Sequence, residues 1–237
     1  MGSGRLPGKA LVKIGGKTVL ELMVDRLRAV SRIDDVIIAT SVKPENDPIA
    51  ALCRSLGVTC FRGSENDVLG RTAAAVAAAG AELVVQVYGD GPLICPDVVN
   101  FVLDRYDGAS DWVGNSMKTT FPPGQEVEVL KNRVYQDAEL RSRGLAVREH
   151  ATLFLRQHPE LYKLTPVMAP ARWAFPQVSL ELDEPADLEF LNALSEKFGQ
   201  RVPEALDEII DCLRENPDIG GINAAVARRW KQFREES

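Results

Sequence analysis

Histidine is nearly absent, with two in 237 residues, and the four cysteines, Cys53, Cys60, Cys95 and Cys212, contain no Cys-x-x-Cys spacing. Clustered imidazoles and thiolates for a zinc centre are therefore not expected. The cysteines, each in an apolar context, read as reduced core thiols of a cytoplasmic protein. Long apolar runs are missing as well, and the N-terminus lacks the apolar core of a signal peptide, so no membrane partner is expected. Basic charge is in deficit: 28 Lys and Arg stand against 34 Asp and Glu, for a net charge of −6 and a pI near 5.1. A nucleic-acid surface needs a basic patch, so nucleic acid is not an expected partner and any phosphate recognition must be local. The length suits one α/β domain over residues 1–237, with residues 199–237 as a C-terminal helical extension.

Glycine is concentrated at the start, in Met1-Gly2-Ser3-Gly4-Arg5-Leu6-Pro7-Gly8-Lys9. Such a backbone can turn tightly and offer several N–H groups to one anion, with Arg5 and Lys9 as flanking cations. Gly2, Ser3, Gly4, Arg5 and Lys9 are thus candidates for a phosphate cradle. It is not a P-loop, because Lys9 is followed by Ala10 and no glycine stands five residues before Gly8. Taken alone, the same residues also fit a flexible glycine-rich terminus.

Apolar periodicity predicts a helix over 19–30, a buried strand over 35–40 and a helix capped by Asn46 or Asp47 and ended by Gly57. A strand follows at 58–61, then an alanine-rich helix capped by Asp67 and stopped by Gly80, and a β-branched strand over 83–88. This β-α-β-α-β alternation implies a right-handed, doubly wound parallel sheet, whose ligands bind beyond the carboxyl ends of its strands. Past a helix at 97–106 the rhythm changes. Strands at 112–116 and 125–130 around Phe121-Pro122-Pro123-Gly124 add a small antiparallel part. Helices are predicted at 132–141 and 147–157, an edge strand at 162–167 and a last buried strand at 178–182. Three more helices, at 185–198, 203–213 and 221–234, close the chain.

Acids stand at two predicted strand ends. Asp90, in Gly89-Asp90-Gly91-Pro92, is placed to hold a divalent metal on a triphosphate, although the same four residues also make a simple turn. Asp183, in Glu181-Leu182-Asp183-Glu184-Pro185-Ala186-Asp187, is the second such acid and is also placed to cap the following helix. With no His or Cys beside them, Mg2+ suits this pair better than zinc. The segment from Arg62 to Arg71 supplies Ser64 and Asp67 at a helix N-terminus, with Arg71 one turn on, for nucleotide contacts; a cap with a surface arginine is the plainer alternative.

The glycine-rich start, Gly-Asp-Gly-Pro-Leu-Ile-Cys-Pro at 89–96, Arg-Gly-Ser-Glu-Asn-Asp-Val-Leu-Gly-Arg at 62–71, Phe-Pro-Pro-Gly-Gln-Glu-Val-Glu-Val at 121–129 and Arg-Glu-His at 148–150 occur together in order. In this they resemble the SpsF-type cytidylyltransferases of spore coat polysaccharide biosynthesis, relatives of the 3-deoxy-manno-octulosonate and acylneuraminate cytidylyltransferases. The likeness runs from residue 1 to about 198, with a weaker echo at 216–226. It implies transfer of CMP from CTP to a sugar acid or modified sugar with release of pyrophosphate, in surface polysaccharide biosynthesis. It further implies Mg2+ on Asp90 and Asp183, catalytic roles for Arg5, Lys9 and Asp90, and an acceptor site near Gln125, Glu126, Glu128, Arg148 and His150. Gln125 and Glu126 replace the family's Leu and Asp. No general base emerges beyond His150, which fits a structural role as well. A homodimer is among the assemblies left open.

Other readings fit the same residues: a nucleotide-binding protein impaired in catalysis, or a nucleotidyltransferase using another NTP. In the resembling family a buried strand ending in a Gln-Ala-Arg-like segment precedes the glycine-rich loop, and Met1 falls where that strand would end. The sequence therefore predicts a Rossmann-like, mostly parallel sheet without its first central strand, leaving neighbouring strand edges unpaired.

Overall fold

The computed structural model describes residues 6–150 and 152–228; Gly2, Ser3, Gly4 and Arg5 of the expected cradle lie outside the described residues. After a 3-10 turn at Lys9–Leu11 comes a short hairpin, β1 (Lys13–Ile14) and β2 (Lys17–Thr18), that the sequence did not announce. Its two-residue turn puts Gly15 at φ 56° and Gly16 at φ 86°, conformations that favour glycine. Thr18 then caps α1 (Val19–Arg28) by a reciprocal capping box with Glu21: the Glu21 N–H donates to Thr18 Oγ1 at 3.2 Å and the Thr18 N–H to Glu21 Oε2 at 2.7 Å.

The alternating region follows as β3 (Ile37–Ser41), α2 (Asp47–Leu56), β4 (Thr59–Gly63), α3 (Val68–Ala79) and β5 (Leu83–Val87), each within a few residues of its predicted place. Gly57 and Gly80 end α2 and α3 in the left-handed conformation, and Asp67 accepts the Gly70 N–H at the start of α3. Asn46 does not cap α2 with its side chain; it donates instead to Ser41 Oγ at 2.6 Å. Next come α4 (Pro96–Leu103), β6 (Trp112–Gly114), β7 (Val127–Lys131) and α5 (Asn132–Arg141).

The helix expected over 147–157 is two short ones, α6 (Leu145–Glu149) and α7 (Leu153–Gln157). Between them Thr152 is buried, its hydroxyl within hydrogen-bond distance of Tyr88 and donating to Glu128, which interrupts the helical path. After β8 (Leu164–Pro166), residues 178–182 run without joining a ladder. Their N–H groups go singly to loops, Leu180 to the Pro123 carbonyl and Leu182 to the Asp90 carbonyl, both at 2.7 Å, so the last predicted strand is not one. Helices α8 (Pro185–Lys197), α9 (Leu206–Glu215) and α10 (Pro217–Gly221) complete the described chain. The helix expected over 221–234 is not present in 222–228, and its remainder lies outside the described residues.

β5, β7, β6 and β8 form one sheet in that order, and β3 pairs with β4 in parallel. β7 is antiparallel to both β5 and β6, and β8 is parallel to β6, so β5, β6 and β8 share one direction and only β7 opposes them. Strand alternation sorts the core onto two faces. Val113, Val127 and Val129 pack with α1, α4, α8 and α9, while Trp112 and Leu130 pack with α3, α5 and α7. The fold is thus α/β and doubly wound. Among the described residues no strand pairs with the second edge of β3 or of β5.

Candidate active site

The Gly89-Asp90-Gly91 turn leaves the carboxyl end of β5, where ligands of doubly wound sheets bind. Three loops converge on it. A Cβ on Gly91 would collide with the Gly124 carbonyl oxygen, and one on Gly124, at φ 96°, would lie 2.9 Å from the Leu180 carbonyl carbon. Glycine at both positions lets the 89–92, 122–125 and 180–183 segments touch.

Leu182 joins the two predicted metal acids to the first lysine. Its N–H donates to the Asp90 carbonyl at 2.7 Å, and its own carbonyl accepts from Lys9 Nζ at 3.1 Å. Lys9 also donates to Asp183 Oδ1 at 2.9 Å, with side-chain exposures of 21% and 12%. Leu182 thus ties the Asp90 backbone to Lys9, and Lys9 in turn holds the Asp183 carboxylate. Two carboxylates suit a hard divalent cation whose remaining ligands are phosphate oxygens and water. Among the described residues no cluster of three or more His, Cys, Asp or Glu side chains is arranged as a metal cage.

The loop after β4 brings Ser64, Asp67 and Arg71 together. The Asp67 N–H donates to Ser64 Oγ at 3.3 Å, and Arg71 Nη1 donates to the Ser64 carbonyl at 2.5 Å. Burial lowers the Arg71 pKa, and its Nε is buried without a hydrogen-bond partner. Asp67 Oδ2 accepts from Arg148 Nη2 at 2.6 Å, and Arg148 also reaches Glu139 at 2.9 Å. The Arg148 guanidinium holds the Asp67 carboxyl below its usual range, and Asp67 raises Arg148 in turn. The predicted nucleotide loop and the predicted acceptor segment are thus linked directly. His150 lies exposed beside Arg148 in that segment.

Three expected acceptor contacts hold partners within the protein. Gln125 is fully buried: its Nε2 donates to the Leu93 carbonyl at 2.6 Å, and its Oε1 accepts from the Cys95 N–H at 2.9 Å. Gln125 thereby supports the scaffold under the Asp90 loop. Glu126 accepts the Gly124 N–H at 2.8 Å and so braces the same turn. Glu128 is also fully buried, its Oε1 shared by Ser116, Thr152 and Arg156. A buried carboxylate needs such a cation, and Arg156 Nη2 lies 3.3 Å away. Burial, with Glu128 adding to it, pushes the Tyr88 hydroxyl far above its ordinary pKa.

Tyr88, Ser116, Thr152 and Arg156 were not singled out from sequence, and neither was Asp187. Asp187 accepts the N–H groups of Asp183 and Glu184, both at 2.9 Å. Its place three residues after Glu184, before an apolar helix, was the one available signal.

A profile of the family described as cytidylyltransferase matches residues 1–215. The spore coat polysaccharide biosynthesis protein SpsF of Bacillus subtilis is 33% identical over 224 residues, covering 92% of this chain and 92% of that protein. Among solved structures, a cytidylyltransferase from Leptospira borgpetersenii superposes with a TM-score of 0.87 at 24% identity, covering 96% of this chain and 95% of that one. A CMP:2-keto-3-deoxy-manno-octonic acid synthetase complexed with CTP superposes with a TM-score of 0.62 at 18% identity, over 83% of this chain and 95% of its own. No helix among the described residues is long and apolar enough to cross a membrane.

Proposed function

Because the chain belongs to the cytidylyltransferase family, and is therefore a nucleotidyltransferase, we propose that it transfers CMP from CTP to a hydroxyl of a sugar acid or modified sugar, in surface polysaccharide biosynthesis. The acceptor oxygen attacks the α-phosphorus, the bond to the bridging oxygen breaks, pyrophosphate leaves, and the hydroxyl proton passes to solvent. Most of the work left to the protein is positioning and charge neutralisation. Asp90 and Asp183 would hold Mg2+, which when bound offsets charge on the phosphate oxygens. Lys9, with Arg5, would take the leaving β- and γ-phosphates. Gly2, Ser3 and Gly4 would offer backbone N–H groups, and Ser64, Asp67 and Arg71 would line the nucleotide. Arg148 and His150 would meet the acceptor, with Glu126 and Glu128 supporting from beneath.

The observation that carries this reading is the meeting at Leu182, whose two backbone groups tie Asp90 to Lys9 and so to Asp183. The test is pyrophosphate release with each of the four ribonucleoside triphosphates against a panel of acidic, amino-modified and neutral sugars. Release with CTP and an acidic or amino-modified sugar is expected. Preference for another triphosphate, or none with any sugar, would contradict the proposal.

A further inference from the structure

The last described residues return to the acid loop. Asp187 is fully buried, and the Arg228 guanidinium grips it with both ends: Nη2 lies 2.6 Å from Oδ1 and Nη1 3.1 Å from Oδ2. Asn223 Nδ2 donates to the same carboxylate at 2.9 Å and to the Ser179 carbonyl at 3.0 Å. The Arg228 side chain is only 5% exposed, and its Nε also lies 3.7 Å from Glu181 Oε2. Segment 223–228 therefore grips the 179–187 loop on both sides of Asp183. These residues lie beyond the 1–215 that the family profile covers.

We propose that Arg228 and Asn223 are positioning residues for Asp183, acting through Asp187. Asp187 Oδ2 accepts the backbone N–H groups of Asp183 and Glu184, which fixes the peptide that carries the Asp183 side chain. That acceptor is itself fixed by a bidentate guanidinium, an arrangement that sets direction as well as distance. Removal of Arg228 leaves a buried carboxylate without its cation, and the loop must shift to solvate it. Asp183 then moves with its own peptide. The catalytic half of this inference rests on the role proposed above for Asp183.

Arg228→Met keeps most of the apolar stem and removes the fork. The amides of Asp183 and Glu184 should then exchange with deuterium at least ~10-fold faster, since their acceptor is no longer held, while the α4 amides keep their rates. Turnover should fall about 10–100-fold, the scale of a misplacement near 1 Å, with a much smaller change in KM for CTP. Arg228→Lys should restore part of it. On an Asp183→Asn background, Arg228→Met should add no further loss, because its effect passes through Asp183. Asn223→Ala, which leaves the ion pair, should give the same pattern more weakly and decides the matter if Arg228→Met does not fold. Unchanged exchange at Asp183 and Glu184, or losses that multiply fully in the double variant, would overturn the proposal. If Asp183→Asn alone turns over like wild type, the role given to Asp183 fails, and amide exchange, which needs no turnover, still decides whether Arg228 positions the loop.

Discussion

Gln125→Leu places at this position the residue type expected from the resembling family, and it should nevertheless destabilise the protein. The wild-type amide is fully buried and satisfies two backbone groups, the Leu93 carbonyl at 2.6 Å and the Cys95 N–H at 2.9 Å. Leucine can serve neither. The Leu93 carbonyl keeps one partner, the Cys95 thiol at 3.2 Å, so the main loss is an orphaned Cys95 N–H. An unpaired buried donor costs about 1–3 kcal/mol, and loss of the second hydrogen bond adds about 1 kcal/mol. Leucine's greater apolarity offsets part of this, leaving a net loss of about 2 kcal/mol. In a chain of this size each kcal/mol moves the melting temperature by about 2–4 °C, so a drop of roughly 4–8 °C is expected. Thermal and urea unfolding would read it, the urea midpoint falling with an unchanged slope. Because Leu93–Cys95 follows the Asp90 turn directly, turnover should also fall, by less than about tenfold. A variant as stable as wild type would refute the placement of the Gln125 amide and the scaffold role drawn from it.

Lys9→Met removes the ammonium that bonds Asp183 and the Leu182 carbonyl. With both partners mostly covered, a stability loss of about 1–2 kcal/mol is expected, together with a drop in turnover or CTP affinity of ~10-fold or more. Wild-type melting and kinetics together would show Lys9 to be a bystander. Asp67→Asn tests the link to Arg148. The folded Asp67 pKa is depressed, first by the Arg148 hydrogen bond, so its stabilisation is present above the unfolded carboxylate pKa of about 4 and is lost as pH falls through the lower folded value. The melting-temperature difference between wild type and Asp67→Asn should therefore be largest near neutrality and close on acidification; a difference that grows toward acid would contradict the pairing.

Local features were the most legible in the sequence. Gly57, Gly80 and Asp67 mark helix ends through backbone conformation and capping that depend on few neighbours, and the structure places them as expected. From α1 to β5 the order of strands and helices followed from hydrophobic period and capping residues. What was hidden depends on distant partners. Lys9 and Asp183 are 174 positions apart, and Arg228 and Asp187 are 41 apart; no local pattern pairs them. Residues 178–182 looked like a strand because Leu180 and Leu182 are buried, yet an apolar run does not say whether its N–H groups meet a ladder or, as here, two loops. Gln125 entered the site through its place in a motif of the resembling family, and no local pattern announces that its amide serves the Leu93 carbonyl and the Cys95 N–H. The break between α6 and α7 likewise reflects the burial of Thr152 against Glu128, which helical spacing cannot reveal.

The central proposal is nucleotidyl transfer with Asp90, Asp183 and Lys9 at the reacting phosphates. Pyrophosphate release from CTP with an acceptor sugar, measured on wild type with Mg2+, on wild type with EDTA and on Asp90→Asn, tests it most directly. Asp90→Asn removes charge with little change in volume, so release should fall by orders of magnitude while the melting temperature stays near that of wild type, and EDTA should silence wild type to the same degree. Undiminished release in EDTA, or from Asp90→Asn, would contradict the account.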